Sequence, residues 1–569
     1  MQIFFDGIVI AGRYWEEILL FMVPVLGFGG LITSILSREK RIDWLLFPMS
    51  LPLGTIILAL LSFALFSLAR VWPNILHLGS WILFVLGLGA LFLHGRHGQD
   101  WRSHILYIMG FSVLLIIRLA FLKDMQLPPY SDSPEHYLIV QHFLSPTLEG
   151  NSFYAIAGPY YHFGFHSLAT WLTVIRGFDS PLLLALLGQI FLVVLPFSVF
   201  ALVGGITQNN TSAWIALLLS GFGWQMPAFA ANWGKYPAIV GMAVFPGVLV
   251  AIYLFWQNKN LKNTTLIVGL FFVVGAVFLH SRILVSFVLA FLSFYLALQF
   301  TDFLMTKGKT IKIVLWAISI LLAFWMHWTT FFQVYYSNYF VVLIIIAIFI
   351  PFAFRSFPIL SLAAFLYLFG IGFASKITLP PFLQGYSYRL LDRTFLQIAL
   401  FLPLSMLGAL GLSGFIKAFT GQSHVKRGAI TVIFLIFAWN ATQLSYYPDP
   451  CCGYVRNRDL AAYDWIKLNL PSDATLIIPG LRVSDRLIGT DAGIWIQPLT
   501  GRETKKRPFD ISLFAPDVVN DFCLFNSPYI YVGGRQFSFN SSEPELSNRY
   551  KELFSQGKTS IYQIDCASH

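Results

Sequence analysis

The sequence predicts a polytopic α-helical membrane protein that ends in a small α/β domain. Three observations carry that prediction. Only 11% of the 569 residues are charged and 57% are hydrophobic, whereas soluble domains carry about 25% charged residues. Apolar stretches near the ~20 residues needed to cross hydrocarbon recur up to residue 445. Beyond that point the composition turns polar, and all four cysteines lie there. The mean hydropathy of +0.70 agrees with this reading.

Apolar runs set against charged breaks give about fifteen candidate spans. They lie near 18–36, 45–69, 74–93, 103–122, 163–177, 181–206, 211–230, 236–257, 264–280, 283–304, 311–331, 336–354, 357–375, 394–416 and 428–445. The first begins only after Glu16 and Glu17, without a basic leader or a small-residue cleavage site, so it reads as a mature span rather than a signal peptide. The net charge of +10 follows from lysines and arginines in short loops, and no basic run is dense enough to suggest nucleic acid.

The connectors set the orientation. "SREKR" (37–41), "HGRHGQDWR" (94–102), "KNLK" (259–262), "TKGKTIK" (306–312) and "KAFTGQSHVKR" (417–427) are basic and read as cytoplasmic. The N-terminus and the 123–162 segment, with Asp124, Asp132, Glu135 and Glu149 against Lys123, read as outside. Three runs between 163 and 230 would invert everything after them, so one of the three must fail to cross. The 211–230 run, with its "SGFGWQMP", is the expected re-entrant or broken one. Irregular backbone at that depth is tolerated where protein buries it or where it lines a cavity, which points to a cavity near 220–237.

After residue 446, "AAYDWIKLNL" (461–470) reads as a helix, and "ATLIIP" (474–479), "YIYVGG" (529–534) and "SIYQID" (560–565) as strands. "LSNRYKELFSQG" (546–557) reads as an intervening helix ended by glycine. The organisation is therefore extra N-terminal spans over 1–102, a transmembrane core over 103–445 with an outer loop at 123–162, and an extracytoplasmic α/β domain over 446–569. Cysteines confined to this domain suit an oxidising compartment. Cys523 and Cys566 are the expected pair, because strain in the small ring disfavours joining Cys451 to Cys452.

The outer loop gathers the chemistry. In "PPYSDSPEHYLIVQHF" (128–143), Asp132, Glu135 and His136 fall together. Ser133 is the expected N-cap, with Pro134 at the first helical position. The helix that follows is too short to span and apolar enough to lie in the interface. One reading makes these side chains mere caps. "GPYYHFGFHSLATWL" (158–172) adds Tyr161, with His162 and His166 four apart on one helical face, a spacing able to bind metal. "NWGKYP" brings Lys235, "FLHSRIL" brings Arg282, and "GYSYRLLDRTF" brings Arg389 and Arg393. Singly these cations are headgroup anchors; together they suit a phosphate-bearing lipid.

An outer carboxylate, cationic outer loops and a trailing α/β domain together resemble the GT-C superfamily of integral-membrane glycosyltransferases. "SDSPEH" matches its acidic loop motif, "GPYYHFGFH" its aromatic span opening, and "DWIKLNLPSDATLIIP" with "DAGIWIQPLTGRET" its substrate-unassigned prokaryotic tail region. The resemblance implies sugar transfer from a polyprenyl-phosphate donor to a glycan, lipid or protein acceptor at the outer face of the cytoplasmic membrane, with inversion. Asp132, aided by Glu135, would act as base. A divalent cation (Mg or Mn) held by Asp132 and His166 is the alternative role. Phosphate would meet Lys235, Arg282, Arg389, Arg393, His136, His162, His166 and Tyr161. Rival readings are a transporter or lipid flippase, and a noncatalytic scaffold. The topology has a direct check. A reporter fused after Ser445 is expected to be active outside the cytoplasm; activity restricted to the cytoplasm contradicts the orientation.

Overall fold

The structure is a computed structural model. It describes residues 1–37, 43–95, 101–145, 161–258, 264–306, 313–314, 316–321, 335–336, 340–380, 389–418, 423–483, 486–546 and 548–566. Most of the 311–331 run, residues 146–160 of the outer loop, "GYSY" (385–388) and much of the basic connectors lie outside the described residues. The chain forms two compact units. The first comprises Met1–Lys123, Phe143–Ala231 and Tyr236–Tyr447; the second comprises Asp124–His142, Asn232–Lys235 and Pro448–His569.

The first unit is helical. Its elements are α1 (Gln2–Arg13), α2 (Trp15–Ser37), α3 (Leu46–Ala69), α4 (Ile75–Gly95) and α5 (Trp101–Leu119). Helix α6 (Asp132–Leu144) belongs almost wholly to the second unit. The first unit continues with α7 (Gly164–Arg176), α8 (Leu182–Thr207), α9 (Asn210–Phe222), α10 (Tyr236–Gln257), α11 (Thr265–Leu279), α12 (Ile283–Thr306), α13 (Phe340–Ser356), α14 (Pro358–Ala374), α15 (Arg393–Ala399), α16 (Phe401–Ala418) and α17 (Ser423–Gln443). Among the described residues, eight helical segments are long and apolar enough to cross a membrane. Several of the expected runs instead form helices of under 18 residues. Helix α1, which precedes the first expected run, was not foreseen.

Close helix approaches fix the relative directions. Gly29 of α2 packs on the Ser50 backbone of α3, and Gly54 of α3 on that of Val25, so α2 and α3 are antiparallel. Gly27 of α2 packs on Gly87 of α4, and Gly30 on His94, so these two are parallel. Gly188 of α8 meets Tyr236 of α10 while Gly205 meets Val250, so α8 and α10 also run together. Ser212 of α9 donates to Ser413 of α16 at 2.7 Å, near the end where Gly204 meets Trp44. In consequence the five basic connectors are all entered from one end of the bundle. Tyr447, where the chain leaves this unit, donates to Asp6 at 2.6 Å at the other end.

The parity conflict resolves differently from the expectation. Helix α7 does not traverse the bundle. Gly164 abuts the Phe278 carbonyl at the end of α11, and Trp171 Nε1 donates to the Ser80 carbonyl near the start of α4 at 3.4 Å. Arg176 pairs with Glu17 at 2.8 Å and Glu16 at 3.0 Å, at the start of α2. All these partners lie at the end opposite the basic connectors, so the 163–177 run lies across that end.

The 211–230 run is broken, as expected, yet it completes its traverse. Helix α9 stops at Phe222, and an irregular segment leads through a short 3₁₀ turn (Ala228–Trp233) to α10. Trp224, Met226, Ala230 and Ala231 of this segment are buried. The carbonyls released at the break find donors. Arg118 of α5 donates to Gly221 O at 2.9 Å, and Asn440 of α17 to Phe222 O at 2.6 Å. Trp224 Nε1 donates to Ser405 Oγ at 2.9 Å. Each such group left unpaired in hydrocarbon would cost several kcal/mol.

The second unit is built on a mixed sheet. Strands β1 (Thr475–Val483), β2 (Arg486–Gly489), β3 (Glu503–Pro508), β4 (Pro528–Val532), β5 (Tyr550–Gln556) and β6 (Thr559–Ile564) pair in the order β2-β1-β4-β6-β5, with β3 also on β1. β1 is parallel to β3 and β4; β6 is antiparallel to both β4 and β5. Helix α18 (Asn457–Asn469) and the short α19 (Ile496–Thr500), α20 (Pro516–Phe522) and α21 (Ser542–Leu546) complete the unit. The stretch expected as a helix over 546–557 is largely β5: its pairing with β6 outweighs the helix-favouring Lys-Glu-Leu. Ile477, Phe522, Ile530, Val532 and Tyr562 form the core, against which Cys523 and Cys566 pack. These two cysteines are joined, Cα atoms 5.7 Å apart, as expected. Cys451 and Cys452, not expected to pair, are placed as a second joined pair.

Arg118→Leu is expected to strand the Gly221 carbonyl and lower stability by about 1–3 kcal/mol, read as a fall in the thermal midpoint of the purified protein. An unchanged midpoint would show that the carbonyl needs no such donor.

Candidate functional site

The acidic loop and the lysine segment, about a hundred residues apart in sequence, meet in the second unit. Helix α6 begins at Asp132, one residue before the expected cap. Ser133 does not cap it: the buried hydroxyl donates back to the Pro129 carbonyl. Tyr130, just upstream, has φ of 67°, a left-handed backbone that a bulky residue adopts only under constraint. The constraint is visible. Tyr130 N–H donates to the Cys452 carbonyl at 2.9 Å, and its ring lies 5.9 Å from that of Tyr454.

The segment 232–235 closes on this helix start through a glycine. Gly234 has φ of 64°, and a Cβ there would lie 2.6 Å from Ser133 Oγ and 3.1 Å from Ser133 N. Asn232 Oδ1 accepts from the Asp449 N–H at 2.7 Å and ties the same segment to the start of the C-terminal domain. The next residue, Lys235, donates to Asp132 Oδ2 in an ion pair. Both side chains are largely buried, 33% and 24% exposed respectively, so the pair is only partly screened by water.

His136 lies one turn along α6. Burial pushes its imidazole down to about 4, against the opposing pull of the Asp132 carboxylate and a hydrogen bond to the Gly234 backbone. At neutral pH it is therefore an uncharged donor–acceptor beside the ion pair. Glu135 faces the other way. Its side chain is 65% exposed and meets Lys506 of β3 at 3.6 Å, a surface pair of small energetic weight. Tyr137 packs on Trp495, ring centroids 6.0 Å apart.

The remaining expected residues belong to the first unit, where they form their own cluster. His162 precedes α7 rather than lying on it, so His162 and His166 do not share a helical face. Tyr161 stacks on His162 at 4.5 Å and lies 5.5 Å from the buried His166. His162 is 4.4 Å from His280, which stacks on Phe395 at 5.2 Å. Arg282 pairs with Asp392, a residue to which the sequence reading gave no role; Asp392 also caps α15 through the Phe395 N–H at 2.6 Å. Arg389 Nη1 donates to the Ser375 carbonyl at 3.4 Å, and Arg393 opens α15.

Asp132 and His166, expected to share a cation, belong to different units. Among the described residues no three His, Cys, Asp or Glu side chains gather to hold a metal ion.

Asp491 was also missed. It is fully buried beside β1 and accepts from Gly493 N–H at 2.9 Å and Ser538 Oγ at 2.8 Å. Burial nevertheless pushes its carboxyl up to about 7. The only sequence signal was the acidic residue opening "DAGIW". No family model matches the chain, and no curated protein matches it.

The Asp491 shift gives a pH prediction. A carboxyl whose folded value is raised stabilises fully below the ordinary value and loses that contribution as pH climbs through the folded one. Relative to Asp491→Asn, the parent should lose stability between about pH 4 and pH 7, by at most about 1.4 kcal/mol per unit, then level off. Parallel midpoint-against-pH curves for the two proteins would contradict the assignment.

Proposed function

We propose that the chain transfers a sugar from a polyprenyl-phosphate donor to an acceptor hydroxyl, with Asp132 as general base. The observation that carries this reading is the Asp132–Lys235 pair, held at a helix start by Gly234 and by the constrained Tyr130. The ammonium of Lys235 holds the carboxylate in one place at the start of the helix. Asp132 takes the acceptor proton, the acceptor oxygen attacks the anomeric carbon, and the bond from that carbon to the phosphate oxygen breaks. Lipid phosphate departs with the electron pair, and the anomeric centre inverts. Lys235, beside Asp132 in the same unit, is the cation assigned to the leaving phosphate. Glu135, exposed and turned toward Lys506, has a secondary part.

A lipid donor also suits the first unit. An apolar cavity of about 290 Å³ opens among α8, α10, α12, α14 and α16, lined by residues such as Leu202, Phe245, Trp256, Phe294 and Met406. Such a lining accepts hydrocarbon and offers little to a polar solute. The broken helix α9 is the feature a transporter would use. Its freed carbonyls are occupied by Arg118 and Asn440, which weighs against that rival.

The test is release of polyprenyl phosphate from labelled lipid-linked sugars by purified protein. Asp132→Asn retains the size of the side chain, so turnover should fall by about 10²-fold or more while the thermal midpoint stays close to the parent's. Glu135→Gln should stay within a few-fold. Labelled lipid that crosses a vesicle without release of lipid phosphate favours the transporter. Near-parental turnover by Asp132→Asn removes it from the mechanism.

A further inference from the structure

A second polar site lies in the C-terminal domain. A cavity of about 210 Å³ is lined by Tyr454, Arg456, Arg458, Asp459, Gly534 and Arg535, with little apolar surface. Three guanidinium groups around one small cavity repel each other unless something neutralises them. The carboxylate of Asp459, which shares the cavity, offsets only part of that charge. Asp459 is buried, and its oxygens already accept from Tyr531 OH at 2.8 Å, Thr559 Oγ1 at 2.7 Å and the Arg456 N–H at 2.8 Å. Among the described residues, none of the three arginines has a carboxylate within ion-pair distance.

Two other arginines of the same domain are well engaged. Arg502 donates to four backbone carbonyls, and Arg507 pairs with Asp521 at 2.7 Å. Arg458 differs: its buried Nε has no hydrogen-bond partner. Its guanidinium lies along the backbone at Gly534, where a Cβ would come within 2.3 Å of Nη2. Arg535 is fixed in place. It donates to the carbonyls of Cys451 and Gly453, both at 2.7 Å, and sits 4.5 Å above the Tyr454 ring. The cavity also lies at the N-terminus of α18, whose first residues follow Arg456. That helix end adds positive potential and backbone donors.

We infer that this cavity binds the phosphate group of a small ester, with Arg458 and Arg535 as its principal donors. Guanidinium forks match phosphate oxygens in pairs. The volume admits a phosphate with a sugar- or glycerol-sized substituent. The same chemistry is offered by a soluble phosphate ester and by a phospholipid headgroup. The inference is independent of the role proposed for Asp132.

The experiment uses full-length purified protein in detergent, titrated with glycerol 3-phosphate and, separately, with phosphatidylglycerol presented in phosphatidylcholine nanodiscs. Saturable binding is expected, with a rise in thermal midpoint. Arg458→Gln should weaken it at least about 10-fold at an unchanged basal midpoint, with Arg458→Lys between the two. Saturation by glycerol 3-phosphate assigns a soluble source, and saturation by phosphatidylglycerol alone a lipid one; either supports the site. If Arg535→Gln unfolds the domain through loss of its carbonyl contacts, the Arg458 series still decides. No saturable binding of either probe, or equal binding by parent and Arg458→Gln, overturns the inference.

Discussion

The second unit depends on one tight approach, the left-handed turn at Gly234 against the start of α6. With no Cβ at that position, the 232–235 segment lies directly on Ser133, and Lys235 reaches Asp132. From the same turn, Asn232 holds Asp449, and the Gly234 backbone bonds to His136. Two pieces of chain from among the membrane-type helices are thereby built into the C-terminal unit. The result is an ion pair with neutral His136 beside it, held by several backbone contacts. That arrangement, more than the presence of a carboxylate, supports a chemical role for Asp132.

The helical unit obeys a different constraint. Where α9 stops short, hydrocarbon offers no water to its carbonyls, so the surrounding helices must supply donors. Arg118 and Asn440 do so from α5 and α17. Arg118 and Asn440 are thus accounted for by the backbone groups they satisfy. Helix α7 avoids the difficulty by lying across one end, where Arg176 meets the first-turn glutamates of α2.

Much of the architecture was legible because it follows composition and periodicity. The long apolar runs, the polar C-terminal change, α18 and strands β1, β4 and β6 were all readable in this way, as was the Cys523–Cys566 pairing. What failed depended on tertiary context. β5 carries helix-favouring residues and becomes a strand by pairing with β6. The 163–177 run is apolar enough to span, but its crossing is decided by the partners at its two ends. Ser133 reads as a cap in sequence, yet its hydroxyl turns back to Pro129. For the candidate site, Asp132, His136 and Lys235 were found individually, but their meeting depends on a glycine φ that no local pattern announces. Arg535 of the polar cavity comes from a segment far from Arg456 and Arg458, and only the fold brings them together.

The most direct measurement is a double-mutant cycle on stability with Asp132→Asn, Lys235→Met and the double variant of the full-length protein. A pair this little exposed, held by the Gly234 turn, should show a coupling of at least about 0.5–1 kcal/mol. Strictly additive effects of the two substitutions would mean that the two side chains act independently, and the account of a preset Asp132–Lys235 pair would be contradicted.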